Sequence, residues 1–388
     1  MALRELTYTL LRRDFSIELD IPVDSLCPAI PNRVNYICWI EDLMSNDTNK
    51  PIRGIDMNKN WTMVATDIND RSISYATKNV ARNHLEQTIS VVKSTPSQIF
   101  PDILFNDNEQ TYDFCMCNPP FYEDEQDIQD SLEAKEAEPS AVCRGTSNEI
   151  ITTGGEVQFV KRIIDESRQR LAKIRWYTSM VGKKSSLDSI TAYFKEHKIL
   201  NYTLMTLRQG KTNRWAVAWS FGDEHASWAS LQHVSNKMVK LSAPATALSF
   251  ITQSASEHTA MDRTKELLDQ LSIHYEVSDS QPGREAERGS IVIHARAKGN
   301  TWSRSARRAL ARAAKDPEFG GGETTSVAST VSTSKADVMG VDLRVLPGAE
   351  GEQMVEMTWT VGQDRDLFES FFLHFRNRFR VQPDKQQD

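Results

Sequence analysis

The chain has 388 residues, an apolar content of 39% and a net charge of −7. Its length predicts more than one domain, and its charge does not by itself mark a nucleic-acid-binding protein. No apolar run of membrane-spanning length and no signal-peptide pattern is found, which argues against a membrane protein. The five cysteines form no Cys-x-x-Cys pair and indicate reduced thiols in an intracellular protein.

Helix and strand signals alternate from the start of the chain to about residue 222, which predicts a mostly parallel α/β sheet with helices on both faces. Helices are predicted over 3–13, 34–44, 70–84 (capped by Asp70), 157–171 and 186–197. Strands are predicted over 52–56, 62–66, 89–93, 112–117, 174–181, 199–207 and 214–221. The stretch 123–153 has no period and is expected to be a mobile loop.

The most informative motif is Asn118-Pro119-Pro120-Phe121, directly after the predicted strand 112–117. The Asn118 side-chain oxygen and the Pro119 carbonyl can accept two hydrogen bonds from a planar exocyclic amine, and the prolines fix φ in advance. Phe121, or Tyr122 beside it, offers a face on which a flipped or single-stranded adenine can stack. The alternative interpretation is a tight proline turn with no binding role.

Asp56, Asp67 and Asn118 all stand at predicted strand carboxyl ends, where α/β sheets bind their ligands. An acid at the position of Asp67 is typical of a ribose-binding site, although it could equally serve to start a helix. Together with Asn118, it favours a methyl donor that carries adenosine as the cofactor.

Charge is sorted along the chain. Residues 123–138 hold eight acids and one lysine, whereas residues 284–315 hold nine bases and two acids. Such sorting can confine binding to one part of the molecule. The acidic stretch is interpreted as a solvated tether, with repulsion of RNA as the alternative.

Several further segments, taken in order, resemble the family of methyltransferase-like protein 16, the N6-adenine methyltransferases of U6 small nuclear RNA, with bacterial relatives that methylate ribosomal RNA. The resemblance covers roughly residues 3–222. Besides residues 113–121, it rests on Pro31-Asn32-Arg33-Val34-Asn35-Tyr36, Trp39-Ile40-Glu41-Asp42, Arg53-Gly54-Ile55-Asp56, Gly154-Gly155-Glu156, Phe159-Val160-Lys161-Arg162-Ile163-Ile164, Arg175-Trp176-Tyr177, Gly182-Lys183-Lys184, Gln209-Gly210-Lys211-Thr212 and Arg214-Trp215-Ala216.

The resemblance implies a Rossmann-like class I methyltransferase fold over residues 1–222, with S-adenosyl-L-methionine as cofactor. It assigns Arg33, Asp56 and Asp67 to cofactor binding, and Asn118, Pro119, Pro120 and Phe121 to catalysis. It also implies nuclear localisation (with a cytoplasmic pool as the alternative), structured RNA as partner, and no metal, membrane or obligate protein partner.

Two departures from the family pattern bear on activity. Only Met57–Trp61 separate the predicted strands 52–56 and 62–66, where the resemblance implies a Gly-rich turn and a helix. Parallel neighbours need a crossover of about ten residues or more, so the link is too short or the strands pair differently. The chain also opens near the end of the family's basic N-terminal module and keeps Arg12 and Arg13 for RNA binding.

The remaining residues predict a linker over 223–260, with one strand near 247–251, and then an α+β accessory domain over 261–380 with a low-complexity insertion at 318–336. Arg304, Arg308 and Arg312 are four residues apart on a predicted helix, and Arg307 lies next to them, so they could track RNA phosphates. A solvated surface helix is the alternative interpretation.

Three functions remain open at this point. The first is an S-adenosylmethionine-dependent N6-adenine methyltransferase on structured RNA. The second is a non-catalytic RNA-binding protein that has lost the cofactor loop. The third is methylation of another amine, such as a protein glutamine or a DNA adenine, against which the family segments and the basic helix argue.

Overall fold

The computed structural model describes residues 2–44, 61–106, 111–133, 145–209, 212–226, 241, 243, 246–253, 256–279, 291–313, 337–348 and 352–380. The chain forms two compact units. The first comprises residues 1–222 and 229–244, and the second comprises residues 223–228 and 245–388. The predicted strand 52–56, and with it Asp56 and the short link, lies outside the described residues.

The first unit is built from helices and strands that alternate along the chain. Its helices are α1 (Ala2–Phe15), α2 (Ile30–Met44), α3 (Asp70–Arg82), α4 (Glu125–Glu133), the single turn α5 (Ser147–Ile150), α6 (Gly155–Arg170) and α7 (Lys184–Glu196). Its strands are β1 (Met63–Asp67), β2 (Ile89–Lys93), β3 (Tyr112–Cys115), β4 (Ile174–Val181), β5 (Tyr202–Gln209) and β6 (Thr212–Trp219).

The strands of the first unit form two sheets within the described residues. β1 and β2 pair in parallel, and a four-stranded sheet has the order β3-β4-β6-β5. β3 and β4 are parallel, whereas β6 runs antiparallel to both β4 and β5. The predicted mostly parallel arrangement therefore holds up to β4, and the last two strands form a hairpin because only Gly210 and Lys211 connect them.

The core of this unit lies between the four-stranded sheet and the helices α6 and α7. Ile163 and Ile164 of α6 and Phe194 of α7 are fully buried with Tyr177 and Trp219 of the sheet. The rings of Tyr177 and Trp219 stack with centroids 5.8 Å apart. This packing holds the carboxyl ends of β3 and β4 side by side, where the candidate site is found.

Asn79 of α3 and Asn83, which caps the end of this helix, hold the extended arm that connects α1 to α2. The amide of Asn83 exchanges hydrogen bonds of 2.8 and 2.7 Å with the backbone of Glu18, and Asn79 does the same with Asp20 at 2.9 and 2.8 Å. Arg71 at the start of α3 forms a bidentate ion pair with Asp24. The N-terminal helices are thereby tied to the helix that follows β1.

The structure corrects two predictions in this unit. The N-cap of α3 is Asn69 rather than Asp70, because the Asn69 side chain accepts from the N–H groups of Arg71 and Ser72. The stretch 123–153 was predicted to be a mobile loop, yet α4 and α5 form within it.

Local capping explains these helices. Asp124 accepts a hydrogen bond of 2.8 Å from the N–H of Asp127, and acids in the first turn of α4 suit the positive end of its dipole. Asp127 also pairs with Lys183 at 2.8 Å. In α5, the Glu149 carboxylate accepts from the N–H of Thr146 at 2.8 Å. Residues 134–144 of this stretch lie outside the described residues.

The second unit is an α+β fold. Its strands are β7 (Ala247–Thr252), β8 (His274–Asp279), β9 (Ile291–Ala297), β10 (Met339–Pro347) and β11 (Gln353–Val361). They form one antiparallel sheet in the order β7-β11-β10-β9-β8. Its helices are α8 (Glu257–Gln270), α9 (Arg304–Ala313) and α10 (Arg365–Arg380). The strand predicted near 247–251 within the linker is thus an edge strand of this sheet.

The aromatic side chains along α10 are core residues. Phe368, Phe371 and Phe375 are fully buried against the sheet, and the Phe368 ring stacks on that of Trp359 at 5.5 Å. They are therefore not a base-stacking surface.

His225 predicts acid sensitivity of the second unit. Its Nε2–H donates to the Gly362 carbonyl at 2.7 Å, whereas its Nδ1 is buried without a hydrogen-bond partner in the described part of the chain. Burial, with the charge of Arg365 as a smaller cause, lowers the pKa of His225 to about 4. This pKa lies below that of an unfolded histidine. The contribution of the neutral His225 ring to the stability of the second unit is therefore complete above about pH 6.5 and is lost as the pH falls towards 4.

The expected loss of unfolding free energy is up to about 3 kcal/mol across this range. This loss can be measured by thermal unfolding of the wild type and of His225→Gln, each at about pH 7.5 and about pH 4.5. The wild type should lose more stability on acidification than the variant, which keeps a donor for Gly362. An equal loss in both proteins would show that His225 does not carry this pH dependence.

Candidate active site

The Asn-Pro-Pro-Phe turn is held in place at both of its ends. At its start, the N–H of Met180 in β4 donates to the Cys117 carbonyl at 2.8 Å, which extends the pairing of β3 and β4 up to Asn118. At its end, Tyr122 donates to the Ile150 carbonyl at 2.9 Å and accepts from Thr152 at 2.9 Å. Two prolines between fixed ends leave the turn little conformational freedom.

The Asn118 side chain is available to a ligand. It is partly exposed, and among the residues that the structure describes its amide has no hydrogen-bond partner. Pro119 behind it is buried. An amide that is placed on a rigid turn but used by no neighbour is suited to binding a planar polar group.

Phe121 is confined by Gly182 and Arg214. A Cβ atom at Gly182 would lie 2.9 Å from Cδ1 of Phe121, so only glycine lets the two segments approach this closely. The guanidinium carbon of Arg214 lies 5.8 Å from the Phe121 ring centroid, within cation–π range, and its Nη1 donates to the Gly182 carbonyl at 3.4 Å. Phe121 is therefore presented in one orientation.

Glu156 holds the segment that contacts Phe121. This carboxylate is 2% exposed and accepts hydrogen bonds from the N–H of Gly182 at 2.6 Å, the N–H of Lys183 at 2.9 Å and Oγ of Ser186 at 2.5 Å. These donors belong to the start of α7, so the carboxylate also meets the positive end of the helix dipole. The network connects α6, α7 and Phe121.

Two consecutive glycines let α6 begin against the turn. Gly154 and Gly155 have φ values of 74° and 62°, which side-chain-bearing residues rarely adopt. A Cβ at Gly155 would lie 3.6 Å from the Phe121 carbonyl oxygen. This close approach brings Glu156, the next residue, to the start of α7.

Arg33 of α2 is a partly buried cation whose hydrogen bond goes to a weak acceptor. Its Nη1 lies 3.0 Å from the Met180 thioether sulfur, and no carboxylate pairs with it in the described part of the chain. Burial lowers the pKa of its guanidinium, while Tyr36 and Cys117 act in the opposite direction. A partly buried guanidinium that has no carboxylate partner among the described residues could bind an anionic ligand group.

The residues beneath the turn form a buried and unreactive support. Tyr36 of α2 is hydrogen-bonded to Thr178 of β4 at 2.5 Å, and Thr178 donates to the Cys115 carbonyl at 2.7 Å. Burial raises the pKa of Cys115 and of Cys117 to about 12. Both thiols are therefore protonated at neutral pH, which makes them poor nucleophiles.

Asp67 ends β1, as the sequence predicts, and its side chain is exposed. Its Oδ1 accepts a hydrogen bond of 2.7 Å from the N–H of Asn69, which leaves its other oxygen for a ligand. Asp56 lies outside the described residues. The structure therefore brings Arg33 and the Asn118 turn together through Met180 and Cys117, and places Asp67 on the separate β1–β2 sheet.

The predicted RNA-binding arginines differ in their surroundings. Arg12, Arg304 and Arg308 are exposed, whereas Arg13 forms two hydrogen bonds to Asp14 at 2.6 and 2.8 Å. The Nε of Arg307 donates to the Trp302 carbonyl at 3.2 Å. Arg312 belongs to α9, but its side chain is outside the described part of the structure.

Sequence reasoning did not identify Glu156, Gly182 or Arg214 as parts of this site. Each stands in a segment noted for family resemblance, but their contacts join residues 26 or more positions apart. Within the described residues, no helix could cross a membrane, and no group of three or more acidic, histidine or cysteine side chains could hold a metal ion.

A family model described as RNA methyltransferase matches residues 1–223. The chain belongs to the RNA methyltransferase family. The Mus musculus protein named RNA N(6)-adenosine-methyltransferase METTL16 is 38% identical over 269 residues, which cover 64% of this chain and 48% of the mouse protein. The chain thus spans about half the length of such mammalian relatives.

A second relative of this family aligns along nearly the whole chain. The Schizosaccharomyces pombe protein named U6 small nuclear RNA (adenine-(43)-N(6))-methyltransferase is 32% identical over 391 residues, covering 95% of this chain and 91% of the yeast protein. Among solved structures, the human METTL16 catalytic domain in complex with MAT2A 3′UTR hairpin 1 is 39% identical. Its TM-score is 0.53, and the match covers 57% of this chain and 80% of that domain.

These comparisons confirm the predicted membership of the methyltransferase-like protein 16 group within the RNA methyltransferase family. They also confirm the Rossmann-like class I methyltransferase fold, because the parallel strands β1 to β4 and their flanking helices belong to the matched region.

Proposed function

We propose that the chain is an S-adenosyl-L-methionine-dependent methyltransferase that modifies N6 of adenine in structured RNA. We further propose that U6 small nuclear RNA is its substrate and that it works in the nucleus. The observation that carries this proposal is the fixed Asn-Pro-Pro-Phe turn, with an Asn118 amide that no described residue bonds and a partly buried guanidinium at Arg33 near its base. The named activities of the two relatives support it.

The residues near the turn fit the cofactor. The human METTL16 N-terminal domain has been solved in complex with SAH, the product of this cofactor, and S-adenosyl-L-methionine supplies an activated methyl group on a sulfonium. Arg33 would pair with its carboxylate, because the guanidinium is partly buried and lacks an anionic partner in the described residues. Asp67, at the end of β1, would accept hydrogen bonds from the ribose hydroxyls.

Asn118 and Pro119 would hold the adenine amine. The Asn118 side-chain oxygen and the Pro119 carbonyl would each accept one N6–H, which aims the nitrogen lone pair at the methyl group. Phe121, fixed by Gly182 and Arg214, would carry the base on its ring. Because the turn is rigid before binding, proximity and orientation supply most of the rate and no metal is required.

The exposed arginines of α9 are proposed to bind RNA phosphates. Arg304 and Arg308 are exposed one helical turn apart, and Arg312 continues the row in the sequence. Replacing these three residues with Gln should weaken RNA binding and lower the slope of log K against log salt by up to about three units. Fluorescence anisotropy with an RNA hairpin at several salt concentrations measures both effects.

A matched control removes three cations that are already in ion pairs, since these should release few counterions. The three pairs are Lys93 with Asp70, Arg168 with Asp165, and Arg365 with Glu369. The control variant, in which Lys93, Arg168 and Arg365 are each replaced with Gln, should keep most of the slope of log K against log salt. Equal losses in both triple variants would mean that overall charge, rather than the α9 row, drives binding.

A non-catalytic RNA-binding protein is the second candidate. It is favoured by the short link of Met57–Trp61 in the sequence, which leaves no room for a crossover helix. Calorimetric titration with S-adenosyl-L-methionine and, separately, with an RNA hairpin distinguishes the two candidates. Binding of both ligands supports the methyltransferase, whereas binding of RNA alone supports the second candidate.

A further inference from the structure

Three adjacent strands of the second unit bring a serine, a histidine and an aspartate together. Ser278 lies on β8, His294 on β9 and Asp342 on β10, and Asp342 is directly opposite His294 in the β9–β10 register. His294 and Asp342 project from the sheet face opposite the core, since their neighbours Ile293, Ala295 and Leu343 point into the core, and Ser278 bonds to His294 on that face.

The three side chains form a continuous hydrogen-bonded chain. Nδ1 of His294 lies 2.8 Å from Oδ1 of Asp342, and Nε2 of His294 lies 2.8 Å from Oγ of Ser278. A carboxylate accepts only, so in the neutral ring Nδ1 carries the hydrogen. Nε2 is then the acceptor for the Ser278 hydroxyl. This is the order of roles in a serine nucleophile with a histidine base and an orienting aspartate.

Solvent exposure increases along this series of hydrogen bonds from Asp342 to Ser278, as expected when Ser278 is the nucleophile that meets a substrate. The Asp342 side chain is 15% exposed and the His294 side chain is 35% exposed, while Ser278 is exposed to solvent. β8 is an edge strand of the sheet in the described residues.

We propose that Ser278, His294 and Asp342 form a nucleophilic site that takes acyl groups from carboxylic esters. This site would be an activity of the second unit and is independent of the proposed methyl transfer. Other charged groups on this sheet face are Glu276, which is opposite His294, and Arg296 and Arg344, which follow His294 and Asp342 by two residues.

The proposed acyl transfer needs only the ester and water as reactants. Oγ of Ser278 attacks the ester carbonyl carbon, and Nε2 of His294 takes the hydroxyl proton. The carbon–oxygen bond of the ester then breaks and the imidazolium gives its proton to the leaving oxygen, so that an alcohol or phenol leaves and an acyl-serine remains. Water, activated by His294 after it has lost this proton, hydrolyses the acyl-serine and restores the free hydroxyl.

The probe is p-nitrophenyl acetate added to the full chain, with release of p-nitrophenolate followed by absorbance and the acetylated residue located by peptide mass spectrometry. In the wild type, Ser278 should be the principal acetylated serine. His294→Ala should slow its acetylation at least about tenfold, as expected for removal of a general base. Asp342→Asn should slow it as well, and Ser278→Ala should remove the label.

His274→Ala is the matched control, since His274 is an exposed histidine on the same strand as Ser278. It should leave Ser278 acetylation unchanged. Thermal unfolding of each variant shows whether the second unit is folded, and the location of the label in the wild type does not depend on any variant. Acetylation only at other residues, or equal Ser278 acetylation in the wild type and a folded His294→Ala, would overturn the proposal.

Discussion

Asn118→Ala is expected to lower methyl transfer to RNA by at least about a hundredfold, because loss of one amine acceptor releases the adenine from its in-line position. RNA affinity should change little, since phosphate contacts rather than the target base dominate it. Transfer is measured by mass spectrometry of N6-methyladenosine, and affinity by anisotropy. The turn itself should persist, because its fixed points are the backbone groups of Cys117 and Tyr122.

Asn106→Ala provides the comparison for this variant. Asn106 is an exposed asparagine that follows a short 3₁₀ helix, and it has no contact with the turn among the contacts described above. It should retain both activity and RNA binding. If Asn118→Ala instead lost RNA affinity in proportion to activity, Asn118 would be a general RNA contact and not the group that positions the amine.

Glu156→Ala is expected to destabilise the first unit by about 3 kcal/mol or more, because two backbone N–H groups and one hydroxyl would lose their acceptor. The buried site allows little water to replace the carboxylate. Chemical denaturation monitored by tryptophan fluorescence measures this loss. Glu156→Gln should be milder, since it keeps the shape and one acceptor oxygen but turns an amide group towards the donors.

Glu156 is also expected to position Phe121 through Gly182. The control is Glu166→Ala, because Glu166 lies on the same helix and accepts two N–H groups at 2.9 Å, from Ile99 and Phe100. Both alanine variants should be destabilised, but Glu156→Gln should show a greater fall in kcat than Glu166→Ala when both are assayed well below their unfolding midpoints. Equal kcat values in folded Glu156→Gln and Glu166→Ala would show that Glu156 only stabilises the fold and does not position Phe121.

The sequence predicted most of the regular structure because its hydrophobic periods are clear. The bounds of β2 and β4 match the predicted 89–93 and 174–181. α4 was not predicted, because its stability comes from the Asp124 cap and the Lys183 ion pair rather than from an apolar stripe. The local signal, Asp124 three residues before Asp127, was present but was outweighed by the charge of the segment.

Only those parts of the candidate site whose residues are adjacent in the sequence could be predicted. The Asn118 motif is contiguous, so its role could be inferred from residue types alone. Glu156 was not recognisable, because its buried partners begin 26 residues later. Likewise, Ser278, His294 and Asp342 meet only because β8, β9 and β10 pair in one register, which hydrophobic periodicity does not specify.

The measurement that tests the central claim most directly is incubation of the full chain with S-adenosyl-L-methionine and a U6-like RNA hairpin, followed by mass spectrometry of the digested RNA. We expect N6-methyladenosine in the RNA with the wild type and none above background with Asn118→Ala. RNA that is bound by the wild type but remains unmethylated would contradict the proposed activity and identify this chain as an RNA-binding member of the family.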